Sequence, residues 1–129
     1  ASMYNEAFRN VEEIEIPLSG KNERFDFDVE IQHSWQLYVI KLELDRLSIG
    51  RNRFIEELRE KGVGTSVHFI PLHVHPYYRE TYGYKPEDFP IAYETYQRII
   101  SLPIYPKMAD RDVERVVEAI RDVIKLYRK

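Results

Sequence analysis

Hydrophobic and polar positions change period several times along this chain, and each change marks an element. The clearest pattern lies at the C-terminal end. Val113, Val116, Val117, Ile120, Ile124 and Tyr127 recur at i, i+3, i+4, i+7, i+11 and i+14, which is one face of an α-helix. Asp110 and Asp112 favour the start of that helix, and Lys125, Arg128 and Lys129 its end, through the helix dipole. Phe54, Ile55 and Leu58 predict a helix over 51–61, and Gly62 stands where a left-handed cap would stop it. Residues 91–100 are again helical in pattern, with Pro90 near the start. Residues 76–82 have room for one helical turn or two, and 4–10 read as the end of a helix.

Strand signals alternate with these. The stretch 33–44, HSWQLYVIKLEL, is rich in β-branched and aromatic residues and alternates at its far end. TSVHFI at 65–70 predicts a second strand, and SLPIYP at 101–106 a short third, with Pro103 confining it to an edge or an early stop. Pro71 and Pro76 bracket LHVH as a bend, Pro86 and Pro90 fence a loop, and 17–30 reads as a connector. The predicted order is strand, helix, strand, short helix, helix, strand, helix. It implies an α/β (α+β) fold, a two-layer sandwich of a small three-stranded sheet with helices packed on one face.

Composition narrows the function classes. A chain of 129 residues suits one domain with a real core. The net charge of −3, with acidic and basic residues interleaved, lacks the basic face that nucleic acid requires. No apolar run approaches a membrane span. Without cysteine there is neither a disulfide framework nor thiolate chemistry, and a cytoplasmic location is the simplest expectation. Ala1-Ser2 ahead of Met3 reads as a cloning scar over 1–3. Several of the ten tyrosines cluster between Tyr77 and Tyr105, where they suit a pocket wall or the edge of a core equally well.

Candidate chemistry concentrates in residues 63–78, VGTSVHFIPLHVHPYY, which hold His68, His73 and His75; His33 is the fourth histidine. A strand ending in a proline bend delivers polar groups to a rim, where ligand sites form. Zinc on His68, His73 and His75 is one reading. Their spacing matches no helical metal motif, and the two prolines oppose convergence, so no metal is expected. Acid–base catalysis by one histidine is a second reading, without a serine or carboxylate placed nearby in sequence to complete a triad. A satisfied strand histidine is the bland alternative for His68. The five glycines are scattered, so there is no phosphate loop.

The strings GVGTSVHFIPLHVHPYYRETYGYKPEDFP and SLPIYPKMADRDVERVVEAI, with HSWQLYVIKL and LDRLSIGRNRFIEELREKGVG upstream, resemble the C-terminal part of DegT/DnrJ-type sugar aminotransferases from about Tyr4 to the end. The resemblance implies the small domain of a fold type I aminotransferase. It divides the chain into a helix end and connector at 4–32 and the small domain at 33–129. It further implies a homodimeric enzyme that uses pyridoxal phosphate to move an amino group from glutamate to a nucleotide-linked keto sugar, in polysaccharide biosynthesis. The cofactor lysine and the aspartate on the pyridinium nitrogen would lie on a large domain absent here. No catalytic residue, bound cofactor or activity is therefore expected in this chain alone. None of the seven lysines has a desolvated setting suited to a Schiff base.

The resemblance's HF/HY-x-P-x-H segment falls on His68, Phe69, Pro71 and His73. It implies substrate contacts by His68 and His73, with Phe69, Tyr77 and Tyr78 beside them. Gln36 departs from the pattern, since many relatives carry histidine after the tryptophan. The competing reading is a stand-alone, non-catalytic module that binds a nucleotide sugar or mediates assembly.

Overall fold

The computed structural model describes residues 1–18, 20–21 and 30–129. Helix α1 (Ser2–Phe8) leads into the two-residue strand β1 (Ile14–Glu15). A separate ladder joins β2 (Gly20–Lys21) to β3 (Glu30–Ile31), so the ends of the expected 17–30 connector pair with each other; residues 19 and 22–29 lie outside the described residues. Then come β4 (Tyr38–Leu42), a 3-10 turn at Leu44–Arg46 and α2 (Arg51–Glu60). The rest is a 3-10 turn at Leu72–Val74, α3 (Pro76–Tyr82), a 3-10 turn at Pro86–Asp88, α4 (Pro90–Arg98), β5 (Ile99–Leu102) and α5 (Asp110–Tyr127).

The main sheet runs β1-β4-β5, antiparallel throughout. Ile14 faces Leu42 in register, and Tyr38 and Ile40 face Leu102 and Ile100. Side chains alternate across a strand. Tyr38, Ile40 and Leu42 are therefore all buried, while Val39 and Lys41 between them are half-buried. Phe54 and Leu58 of α2, Ile120 and Val123 of α5, and Tyr4 and Phe8 of α1 close over that face as one core. The expected fold class holds: a two-layer α+β arrangement with a three-stranded sheet. Among the described residues no helix is long and apolar enough to cross a membrane.

Three strand expectations need correction. The 33–44 strand is confined to Tyr38–Leu42, because Trp35 has φ +54°, a left-handed conformation that no strand can contain. Trp35 instead stacks on His33 and Tyr38, with ring centroids 4.3 and 5.6 Å away. TSVHFI is not a strand. It makes only one bridge, Ser66 to Ser101, and none of residues 65–70 is buried, so its alternation has no core to face. The third strand is β1, whose alternating Ile14-Glu15-Ile16 lay in the expected 4–32 connector.

SLPIYP was placed too late. The ladder takes Ile99–Leu102, and the helix over 91–100 ends at Arg98. The Arg98 guanidinium reaches the Leu42 carbonyl at 2.7 Å and pairs with Glu43, so the helix closes against the far end of β4. Pro103, lacking an N–H, follows the last paired residue.

The N-terminal segment is part of this core. The Tyr4 hydroxyl donates to the Pro103 carbonyl at 2.9 Å, and the Tyr38 hydroxyl to Asn5 Oδ1 at 2.7 Å. Glu13, almost wholly buried, pairs with Arg128 just beyond α5.

Candidate functional site

The connection from α2 to α3 carries three of the four histidines. It leaves α2 through Gly62 at φ +77°, a conformation that glycine adopts at little cost. Ser66 then meets the free edge of β5. Its N–H donates to the Ser101 carbonyl at 3.1 Å, and the Ser101 N–H donates back at 2.8 Å. Two residues on, His68 Nδ1 lies 2.9 Å from Ser101 Oγ. One backbone rung and one side-chain contact thus hold His68, half-buried, at the sheet edge. The next peptide bond, His68–Phe69, is cis. Beyond it Phe69 is 73% exposed, and Ile70 and Leu72 are also exposed.

The histidines diverge. His73 sits in the 3-10 turn with only 7% exposure, its ring against Phe89 at 4.8 Å and Tyr93 at 6.5 Å. Its Nε2 has no hydrogen-bond partner among the described residues. His75 turns back toward the Ile70 carbonyl, with Nε2 at 3.3 Å. Among the described residues no three His, Cys, Asp or Glu side chains converge as a metal ion requires.

Tyr77 is exposed and Tyr78 half-buried, in edge-to-face contact at 5.2 Å. They begin a row of rings through Tyr82 and Tyr84 to Phe89, with successive centroids 6.2, 5.6 and 5.3 Å apart. The row ends on His73, which explains much of the local tyrosine excess as packing. The structure thus sets His68 and Phe69 together at one rim, buries His73 behind Phe89, and puts Tyr77 and Tyr78 at the far end of the aromatic row.

An apolar cleft of about 640 Å³ opens beside the rim, lined by Phe69, Pro71, Phe89, Ile91, Tyr96 and Ile99. Asp88 and Thr95 supply polar groups. Its size and lining suit a ligand site. Of the five expected site residues, only Phe69 lines it. A second cleft, of about 520 Å³, shares Tyr96 and reaches Arg51, Asn52 and Arg53 at the start of α2. The Arg51 guanidinium lies 5.1 Å above the Tyr96 ring. Neither cleft was anticipated. The available signal was the apolar run Phe89-Pro90-Ile91, too many apolar residues for an ordinary loop.

Six of the seven lysines do not fit a Schiff-base site. Lys61, Lys85, Lys107, Lys125 and Lys129 are exposed, and Lys41 is ion-paired with Glu15 at 2.7 Å. A lysine that condenses with a carbonyl needs a desolvated pocket. None of these six has one, so no step of pyridoxal chemistry is assigned to them.

The sequence matches the profile of the DegT/DnrJ/EryC1/StrS aminotransferases over residues 1–121. The chain belongs to this family. An uncharacterized protein of Methanocaldococcus jannaschii is 50% identical over 124 residues, 96% of this chain and 30% of that protein. The spore coat polysaccharide biosynthesis protein SpsC of Bacillus subtilis is 40% identical over 126 residues, 97% of this chain and 30% of SpsC. Among solved structures, the PLP form of Spr1654 from Streptococcus pneumoniae, assigned as a sugar aminotransferase, superposes with a TM-score of 0.80 at 27% identity. That match covers 97% of this chain and 29% of Spr1654. The chain therefore spans just under a third of the family members it matches. Its α+β fold matches that of the sugar aminotransferase it superposes on.

Proposed function

We propose that this chain is the small C-terminal domain, 33–129 with its connector at 4–32, of a pyridoxal-phosphate-dependent aminotransferase. The intact enzyme transfers the amino group of glutamate to a nucleotide-linked keto sugar, acts in polysaccharide biosynthesis, and works as a homodimer in the cytoplasm. The carrying observation is the family match along 1–121 by a chain only 30% as long as its relatives. The part of SpsC in spore coat polysaccharide biosynthesis supports the polysaccharide reading, and the PLP form of Spr1654 supports the cofactor.

In this reading the chain shapes and covers a site whose chemistry resides elsewhere. When bound, pyridoxal phosphate supplies the electron sink for amino transfer. The residues of this chain bind and orient. His68 offers a ring nitrogen at the sheet edge, and Phe69 an exposed aromatic face, to the sugar nucleotide. His73, Tyr77 and Tyr78 back that rim through the aromatic row. The arrangement also fits the competing module reading, because a rim can bind a nucleotide sugar without catalysing anything.

The native reading frame separates the two. An upstream large domain with a buried lysine, and glutamate-dependent amination by the whole polypeptide, are the expected outcomes. A native frame that starts at Met3, or a full-length product that binds no pyridoxal phosphate, would sink the enzyme reading.

A further inference from the structure

We propose that Ser101 is a positioning residue for His68. Its hydroxyl donates to Nδ1 and holds the uncharged imidazole with its proton on Nε2, so the rim presents an N–H donor to an acceptor oxygen of the ligand. The inference rests on the reading of His68 as a substrate contact and deepens it, because it specifies which kind of ligand atom His68 can meet.

The argument is one of hydrogen-bond supply. Ser101 lies in β5 with 5% exposure, and its neighbours in that strand, Ile99, Ile100 and Leu102, are apolar. Its backbone N–H and carbonyl are both engaged by Ser66. Its Oγ lies 2.9 Å from His68 Nδ1. A hydroxyl carries one hydrogen, and a buried donor without an acceptor is costly. If Nδ1 carried the proton and donated to Oγ, that hydroxyl hydrogen would have no acceptor among the described contacts of Ser101. If the hydroxyl donates to the Nδ1 lone pair, both groups are satisfied. The proton of the uncharged ring then sits on Nε2, on the opposite side from Ser101.

The ring is also fixed in direction. Phe69 meets it edge-on, with centroids 4.8 Å apart and planes 80° apart, and the Ser66–Ser101 rung fixes the backbone two residues before it. A histidine's free nitrogen takes its role from the bond its other nitrogen makes. Nε2–H can donate to a phosphate oxygen or a sugar oxygen and cannot accept from a hydroxyl or an amide.

The test is long-range ¹H–¹⁵N correlation of the His68 ring in the labelled chain at about pH 8, above the ordinary histidine range. Nε2 should resonate as a protonated nitrogen and Nδ1 as a hydrogen-bonded acceptor. In Ser101→Ala, Nδ1 should move to the position of a free acceptor, and Ser101→Thr, which keeps the hydroxyl, should restore it. A melting curve for each variant confirms that it is folded. A wild-type ring protonated on Nδ1, or an Nδ1 resonance unmoved by Ser101→Ala, overturns the proposal. Pyrophosphate and methyl glucoside then separate the two oxygen sources by which one moves the Nε2–H signal; silence to both overturns the donor role. If Nδ1 responds to Ser101→Ala while His68→Ala leaves nucleotide-sugar affinity unchanged, the substrate-contact reading of His68 fails and the Ser101 coupling stands.

Discussion

The Tyr127 hydroxyl, in the last turn of α5, donates to Glu57 Oε1 of α2 at 2.6 Å, and Arg53 pairs with the same oxygen. Glu57 is nearly buried, and this is how its charge is tolerated there. The two long helices that cover the sheet are thereby joined through one carboxylate, with the Tyr127 hydroxyl first and Arg53 second in holding it below the usual carboxylate range.

Because the Glu57 pKa is lowered on folding, its contribution is present at neutral pH. It is lost as pH falls from the unfolded carboxylate value, about 4.3, through the lower folded one. Tyr127→Phe should lower Tm by about 2–6 °C near pH 7. The gap from wild type should shrink as pH falls through the lowered folded pKa, since the interaction is lost once the carboxyl is protonated in both states. Melting curves across that range check this; a gap independent of pH would mean that Tyr127 acts by packing alone.

Tyr4 and Tyr38 titrate in the opposite sense. Burial, and secondarily the nearby tyrosines, push both phenols well above their ordinary value. A raised folded pKa means stability that is complete below the unfolded value of about 10 and is lost as pH rises beyond it. The chain should therefore lose Tm steeply above about pH 10. Tyr4→Phe combined with Tyr38→Phe should flatten that loss, at the expense of the hydrogen bonds to Pro103 and Asn5 at lower pH. An unaltered alkaline slope in the double variant would place the sensitivity elsewhere.

Gly62 and Gly64 stand two residues apart and should respond differently. At Gly62, φ is +77° and an added Cβ would meet the Arg115 guanidinium at 3.3 Å; at Gly64 there is nothing within 4 Å and no positive φ. Gly62→Ala should cost about 1–2 kcal/mol from the left-handed conformation, while Gly64→Ala should stay within about 0.5 kcal/mol of wild type. Urea midpoints measured side by side decide it, and equal effects would contradict the cap geometry.

Phe54 and Ile91 are both apolar residues on helices, yet Phe54 is fully buried and Ile91 is 82% exposed beside the apolar cleft. Phe54→Ala should cost about 3–5 kcal/mol. Ile91→Ala should change stability by no more than about 0.5 kcal/mol. A large loss at Ile91, seen by the same urea titration, would show that the cleft wall carries the fold rather than facing a ligand or another domain.

Much of this was legible in the residues themselves. Helical period located α2 and α5, with end charges marking α5, because both elements bury a single stripe against one core and the stripe is written in the chain. Gly62 was identified as a stop for the same local reason. The rim histidine and its phenylalanine were also visible, since an aromatic-histidine pair ahead of a proline bend is a local pattern.

What only the tertiary structure decided is pairing. Ile14-Glu15 is too short to signal a strand and acquires that role only because β4 offers a free edge. TSVHFI has strand-like residues but no buried face, so it contributes a single rung at Ser66. Trp35 ends an otherwise convincing strand through a backbone angle that side-chain pattern does not encode. His68 and His73 look equivalent in sequence. Folding puts one against the Ser101 hydroxyl at the sheet edge and the other behind Phe89. Period and propensity are properties of neighbouring residues, so the chain determines its helices and its apolar faces alone. Which edge is paired, and which histidine stands at the sheet edge, depends on residues tens of positions apart and exists only once the chain has closed on itself.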